Sequence, residues 1–294
     1  MAAQGTTGST MPRRRLGRQL RDLRNRARMT TRAAAQQLEW SEAKIWRIET
    51  GQTSLRGLDV EAMCKVYGAP PEAVAPLTAL AKETKARGWW TGYSDVIGEG
   101  FDVYIGLEEA AARLYAYEDQ LIPGLLQTEA YARALLRAAR PELSDSDIER
   151  RVRLRMARQP LLTRDEAPLR LDVLIGEAAL WRPLGDRSVT AGQLDHLRLM
   201  CELPNVRIQV VPSDAEYHRG IESGPFVLLE FPALDPGAGA PEPPVVYVEA
   251  FTGPVYLDKS HEIDRYRAAF DSIRAVAVAV GARTAIDDAR ANVR

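Results

Sequence analysis

MTTRAAAQQLEWSEAKIWRIETGQ, residues Met29 to Gln52, contains one glycine and no proline, yet it is interrupted halfway. Thr31 to Leu38 is rich in Ala and Gln and predicts a short helix. Glu39-Trp40-Ser41 breaks it, and Ser41 suits an N-cap for a second short helix that runs to Thr50. Gly51 then supplies a stop, because glycine enters the left-handed conformation at no steric cost. Ala35 is small where the two helices must approach closely. Ile45 and Ile48 fall on one side of the second helix, and Glu42, Ala43, Lys44 and Arg47 lie on or near the other.

Outward from this stretch the pattern stays helical. Leu16, Leu20, Leu23 and Ala27 share one face of a preceding helix. Val60, Met63, Cys64 and Tyr67 mark a fourth, closed by Gly68-Ala69-Pro70-Pro71, and a fifth runs from about Glu72 to Arg87. Residues 1–11 show no pattern and are expected to be disordered, with Met11 an alternative start. The expected division is a head at 12–70, a helical linker at 71–100, a larger domain at 101–280 and a tail at 281–294.

Charge separates the two ends. The 294-residue chain has a net charge of −1. From Arg13 to Arg32, however, nine arginines face one acid, Asp22. Residues 1–68 carry thirteen basic and six acidic side chains, a net of +7, which leaves −8 on the rest. A basic head on an acidic body points to a polyanion as partner of the head. A hydrophobic content of 46% argues against general disorder. No apolar run reaches the ~18–20 residues of a membrane span. The start has no apolar segment behind its basic residues, so no secretory signal is expected. Cys64 and Cys201 lack CxxC spacing, which fits a reducing cytoplasm and no structural zinc.

Beyond Trp89-Trp90, helices are expected at 106–119, 127–139 and 145–158. LRLDVLIG (169–176) and VRIQVVP (206–212) then read as strands, with a helix at 193–203 between them. Such a unit normally has parallel strands joined by a right-handed crossover. GPFVLLEF (224–231), VVYVEA (245–250) and VYL (255–257) add strands, and a helix from Glu262 to about Val280 closes the domain. The Pro/Gly-rich loop at 232–244 is expected to be mobile.

Five short helices in about seventy residues, with a tight joint between the second and third, fit a helix-turn-helix domain. Leu16 to Tyr67 resembles the lambda-repressor-like, XRE-type family on the residues LRNRARMT, Ala34-Ala35 and SEAKIWRIETGQ. The family's I-x-x-[IL]-E-x-G pattern is present as Ile45, Ile48, Glu49 and Gly51. The resemblance implies double-stranded DNA as ligand and a pairing of Arg24 with Glu49. By side-chain chemistry Arg47 can fork onto guanine, Glu42 can accept from cytosine N4, and Lys44 can contact base or phosphate. Ala43 lies between them. Thr31 and Arg32, and Gln52 and Thr53 with Ser54, suit phosphate contacts. Trp46 is open between a thymine methyl, a protein interface and a flank of the domain.

Residues from about Trp89 to Ala279 resemble a domain of unknown function that follows the helix-turn-helix in many actinobacterial regulators. The matching blocks are YEDQLIPGLLQTEAYARALL (117–136), RQPLL (158–162), IGEAALWRPLG (175–185), QLDHL (193–197), PNVRIQVVP (204–212), GPFVLLEF and VVYVE. The resemblance implies an antitoxin-like regulator of the WhiJ type, controlled by a small partner protein or a ligand. The segment AEYHRG (215–220) departs from the family's usual glycine-containing pattern. Glu177 and Arg182 follow a strand and would either line an effector pocket with His218 or form a buried ion pair. A lone His218 is weak ground for a metal, and neither metal nor cofactor is expected.

The expected fold is an all-α, five-helix, lambda-repressor-like head. An α+β or α/β domain follows, with helices, then a mixed sheet, then a terminal helix. The expected protein is a cytoplasmic, dimeric, non-enzymatic regulator. With no GxSxG, P-loop, GxGxxG or HExxH in the sequence, no residue is assigned as catalytic. The alternatives are an enzyme or ligand sensor with a phospholipase-D-like effector domain, although the His-x-Lys of those enzymes is absent, and a protein-binding adaptor.

Overall fold

The computed structural model describes residues 10–232, 242–277 and 281–293. They form two compact units, one of residues 10–94 with 100–110 and one of residues 95–99 with 111–293. Among the described residues no helix is long and apolar enough to cross a membrane.

In the first unit α1 spans Thr10–Arg26, α2 Thr31–Leu38, α3 Glu42–Glu49, α4 Gly57–Val66, α5 Pro71–Glu83 and α6 Phe101–Ala110, with a 3-10 turn at Trp89–Tyr93. Leu16, Leu20, Ala34, Ala35, Ile45, Ile48, Val60, Met63, Leu77 and Ala81 close one core from α1 through α5. Three expectations change here. Thr10 and Met11 belong to α1 rather than to a disordered arm; residues 1–9 lie outside the described residues. Residues 71–94 of the expected linker belong to the head's unit, and Leu77 and Ala81 of α5 enter its core. Thr84 fixes that end: its Oγ1 donates to the Ala81 carbonyl at 2.7 Å and accepts from Leu55 N–H at 3.3 Å. Its own carbonyl accepts from Arg13 Nε at 3.1 Å. Helix α6, expected to open the larger domain, also belongs to this unit.

In the second unit β1 spans Arg113–Glu118, α7 Glu129–Ala139, α8 Asp145–Met156, β2 Arg170–Gly176, α9 Glu177–Trp181, α10 Arg187–Met200, β3 Val206–Val211 and α11 Gly220–Ser223. Then follow β4 Phe226–Glu230, β5 Val245–Ala250, β6 Gly253–Leu257, α12 Ser260–Val276 and α13 Gly281–Ala291. The six strands lie in the order β3-β2-β1-β4-β5-β6. The pairs β1·β2 and β2·β3 are parallel, while β1·β4, β4·β5 and β5·β6 are antiparallel. The sheet is therefore mixed, and the carboxyl ends of its three parallel strands share one edge. Tyr117, Leu174, Phe226, Leu228 and Val246 face α12, where Phe270 and Ile273 cover them.

The helix expected at 106–119 is the main correction. It stops at Ala110, and the chain re-forms as β1, which has neighbours on both sides. The run of Glu and Ala from 108 to 112 favours a helix, but the next residues alternate and the neighbouring strands β2 and β4 claim them. Leu114 and Ala116 are buried on one face, and Tyr115 meets Phe270 of α12 on the other, with ring centroids 5.2 Å apart. Arg113 is tied to Asp172 of the adjacent strand at 2.7 Å, a contact with no counterpart in a helix. The helix expected at 193–203 begins earlier, at Arg187, with Asp186 as its cap. The expected tail is α13 instead, because Ile286 and Ala289 are buried and Arg290 and Asp287 pair with Asp195 and Arg198 of α10. Of the loop expected to be mobile, residues 233–241 lie outside the described residues.

Candidate nucleic-acid interface

The joint between α2 and α3 is made by local capping. Thr30 caps α2 by accepting from Ala33 N–H at 3.1 Å, and Ser41 caps α3 by accepting from Lys44 N–H at 3.1 Å. Between them Glu39 takes the left-handed conformation, with φ 55° and ψ 38°, so that Trp40 N–H reaches back to the Ala35 carbonyl at 2.9 Å. A non-glycine residue in that conformation is uncommon. The turn is held by the helices on either side of it. Ala34 and Ala35 are buried in the head's core.

Helix α3 is fixed against α1 by backbone and charge. At Gly17 of α1 a Cβ would stand 2.3 Å from the Ile48 carbonyl oxygen, so the helices touch through a position that only glycine fits. Gly51 ends α3 at φ +75°, and a Cβ there would meet Arg14 at 2.7 Å. Gln52 N–H closes back on the Arg47 carbonyl at 2.8 Å. Arg24 grips Glu49 with two bonds, Nε to Oε1 and Nη2 to Oε2, each 2.7 Å. Its Nη1 donates to the Met29 carbonyl at 2.8 Å. The Glu49 bonds outweigh burial and raise the Arg24 pKa. One arginine thereby fixes both the end of α3 and the segment that leads into α2.

With Ile45, Ile48 and Glu49 turned inward, α3 presents Glu42, Ala43, Trp46 and Arg47 to solvent. Lys44 is half-buried, because its ammonium sits 3.4 Å from the centroid of the Trp40 ring. That cation–π contact holds Lys44 beside the turn. Thr31 is half-buried and Arg32 exposed at the start of α2, and Gln52 and Thr53 are half-buried after α3. The arrangement offers a guanidinium and a carboxylate on an exposed helix face, with polar groups at both ends of the two-helix unit. It can pair with base edges and phosphates together. The arginine-rich α1 is less available than its composition implies. Arg14 is 7% exposed and Arg13 is spent on Thr84, with burial lowering its pKa.

In the second unit Glu177, Arg182 and His218 lie after β2 and β3, toward the edge that holds the carboxyl ends of the parallel strands. Each is held by a different partner. Glu177 Oε2 accepts from Ser213 N–H at 2.8 Å, and that bond holds its carboxyl below the ordinary range. Arg182 donates to the Gln120 carbonyl at 3.0 Å and to Gln120 Oε1. His218 is buried, with Nδ1 accepting from Gly220 N–H at 3.1 Å and its ring 6.1 Å from that of Tyr117. Glu177 and Arg182 do not pair with each other. Glu118, unremarked in the sequence, ends β1 at the same edge. Burial first, then Asp119 and Glu249 against an opposing Arg155, push its carboxyl up to about 7. The alternation of RLYAYE carries that signal, since it places Glu118 on the same face as buried Leu114 and Ala116. Among the described residues no group of three or more His, Cys, Asp or Glu side chains could hold a metal.

Comparison with protein families gives two matches. The description "helix-turn-helix domain" covers residues 15–77, and "domain of unknown function (DUF5753)" covers residues 101–285. No curated protein and no solved structure matches the chain.

Proposed function

The chain belongs to the DUF5753 family and carries a helix-turn-helix domain ahead of it, and we propose that it is a sequence-specific DNA-binding transcriptional regulator. The observation that carries the reading is the outward side of α3. Glu42, Ala43 and Arg47 are exposed on a helix whose opposite side is locked to α1 by Gly17 and the Arg24–Glu49 pair. In this reading α3 lies in the major groove, Arg47 forks onto guanine and Glu42 accepts from cytosine. Lys44, Thr31, Arg32, Gln52 and Thr53 contact the phosphates that flank it. The +7 charge of residues 1–68 supports the choice of a polyanion.

The test is selection of operators from a random duplex pool, followed by Arg47→Ala. The expected loss is about 1–3 kcal/mol on the selected operator, with random DNA little affected. Equal losses on both would make Arg47 a phosphate contact, and failure to enrich any sequence would remove the reading.

We further propose that the protein acts without catalysis, in the cytoplasm and on the nucleoid, as a homodimer on two half-sites. The second unit binds a small partner protein or ligand that alters DNA occupancy, as an antitoxin-like, WhiJ-type regulator of actinobacteria would. The net charge of −8 outside the head and the polar groups around Glu177, Arg182 and His218 support that role. Control requires the effector to bind the free and DNA-bound states with different affinity. Titrating operator affinity of the full chain with the purified product of the neighbouring gene tests this, and an unchanged affinity at saturation excludes that partner. Sedimentation that shows a monomer both free and on DNA excludes the dimer.

A further inference from the structure

We propose that Trp46, together with Ala43, forms an apolar edge on α3 that reads the 5-methyl group of thymine, which makes Trp46 a specificity-determining residue. The inference rests on the reading that α3 enters the major groove, and it names what that helix recognises there besides guanine and cytosine.

Trp46 is 55% exposed in the middle of α3. The head's core does not lack an apolar side chain at this point, because Ile45 and Ile48 already fill the inner side of the helix. Ala43 stands three residues earlier and one turn away, and Arg47 four residues after Ala43, so all three share the outward side. Thr50, the next residue toward this side, turns its hydroxyl back on the Trp46 carbonyl at 2.8 Å and adds no competing polar group at the indole. The nearby lysine does not cap the ring either, since Lys44 stacks on Trp40.

The side that would meet DNA is therefore half apolar, with a large flat ring beside a small methyl and charged groups at its margins. Of the groups that the base pairs present in the major groove, the thymine methyl is the apolar one. A second copy of the head is the rival occupant. Two surfaces that each belong to a +7 segment repel, whereas the same charge draws the indole toward a duplex.

The experiment uses the full chain and the operator that it enriches from a random pool. Each thymine of a half-site is replaced in turn by deoxyuridine, which removes only the methyl, and affinity is read by fluorescence anisotropy. At one or two positions the wild type should lose roughly three- to tenfold, the effect of one buried methyl. Trp46→Ala, whose helical fold is checked by thermal melting, should bind the thymine operator more weakly and should bind both duplexes equally at those positions. Wild-type binding that ignores every methyl overturns the proposal while leaving Arg47 readout intact, as does Trp46→Ala that keeps the wild-type discrimination. Loss of self-association in Trp46→Ala with no change in methyl discrimination overturns it in favour of an interface between copies. A chain that enriches no operator at all fails earlier, at the regulator reading itself.

Discussion

Arg24→Ala should unfold the head long before it disturbs the rest of the chain. Glu49 is 5% exposed, and its two oxygens take 2.7 Å bonds from the Arg24 guanidinium. Removing the arginine strands that carboxylate and also takes the donor from the Met29 carbonyl. Breaking a buried pair from one side costs about 3–5 kcal/mol. A domain of this size has about 5–15 kcal/mol in total. Four of the five tryptophans, Trp40, Trp46, Trp89 and Trp90, lie in the first unit, so urea unfolding followed by indole fluorescence reports chiefly on it. With a slope of about 1–3 kcal/mol per molar urea, the midpoint should fall by one to several molar. Arg24→Met combined with Glu49→Leu should recover much of the loss, since both charges then leave together. A single-variant loss below about 1 kcal/mol would refute the argument, because that is the magnitude of a solvated surface pair.

Three further outcomes follow from other sites. Gly17→Ala should destabilise the head by about 1–3 kcal/mol, because its methyl would lie 2.3 Å from the Ile48 carbonyl and force α1 off α3; an unchanged melting temperature would contradict that contact. Glu118 keeps its proton in the folded state up to about 7, whereas the unfolded chain releases it near 4.5, so stability should fall as pH rises between those values and level off above them. Glu118→Gln should remove a loss on the order of 3 kcal/mol between pH 4.5 and 8, as measured by urea unfolding at each pH, and an identical pH profile would show that the carboxyl is solvated. Operator affinity should fall steeply with salt, and Arg32→Ala should weaken all duplexes alike while reducing the salt slope by about one; a flat dependence would remove the electrostatic part of the reading.

The head was legible because its signals are local. Ser41 and Thr30 cap the helices they precede, Gly51 ends α3, and Ile45 with Ile48 fixes which side of α3 is inward, all within about one helical turn of chain. Gly17 left a trace that sequence reasoning passed over: a glycine inside a helix is unfavourable by about 1 kcal/mol unless something must come close. The role of Arg13 and Arg14 had no such trace. Composition makes them part of a basic face, and only the arrival of Thr84, seventy-one residues beyond Arg13, turns one of them inward.

Local chemistry determined where the short helices of the head begin and end, which residues α3 shows to solvent, and that the strands near 170, 206, 226 and 246 exist. Tertiary structure decided the state of residues 111–118, where helix propensity and strand alternation compete. β1 exists because β2 and β4 flank it and satisfy its backbone on both edges. Tertiary structure also decided that α5 and α6 belong with the head and that α13 docks on α10. Caps and helix faces are set by residues three or four apart, whereas strand pairing, helix docking and buried arginines depend on groups tens of residues away, whose approach no local pattern encodes.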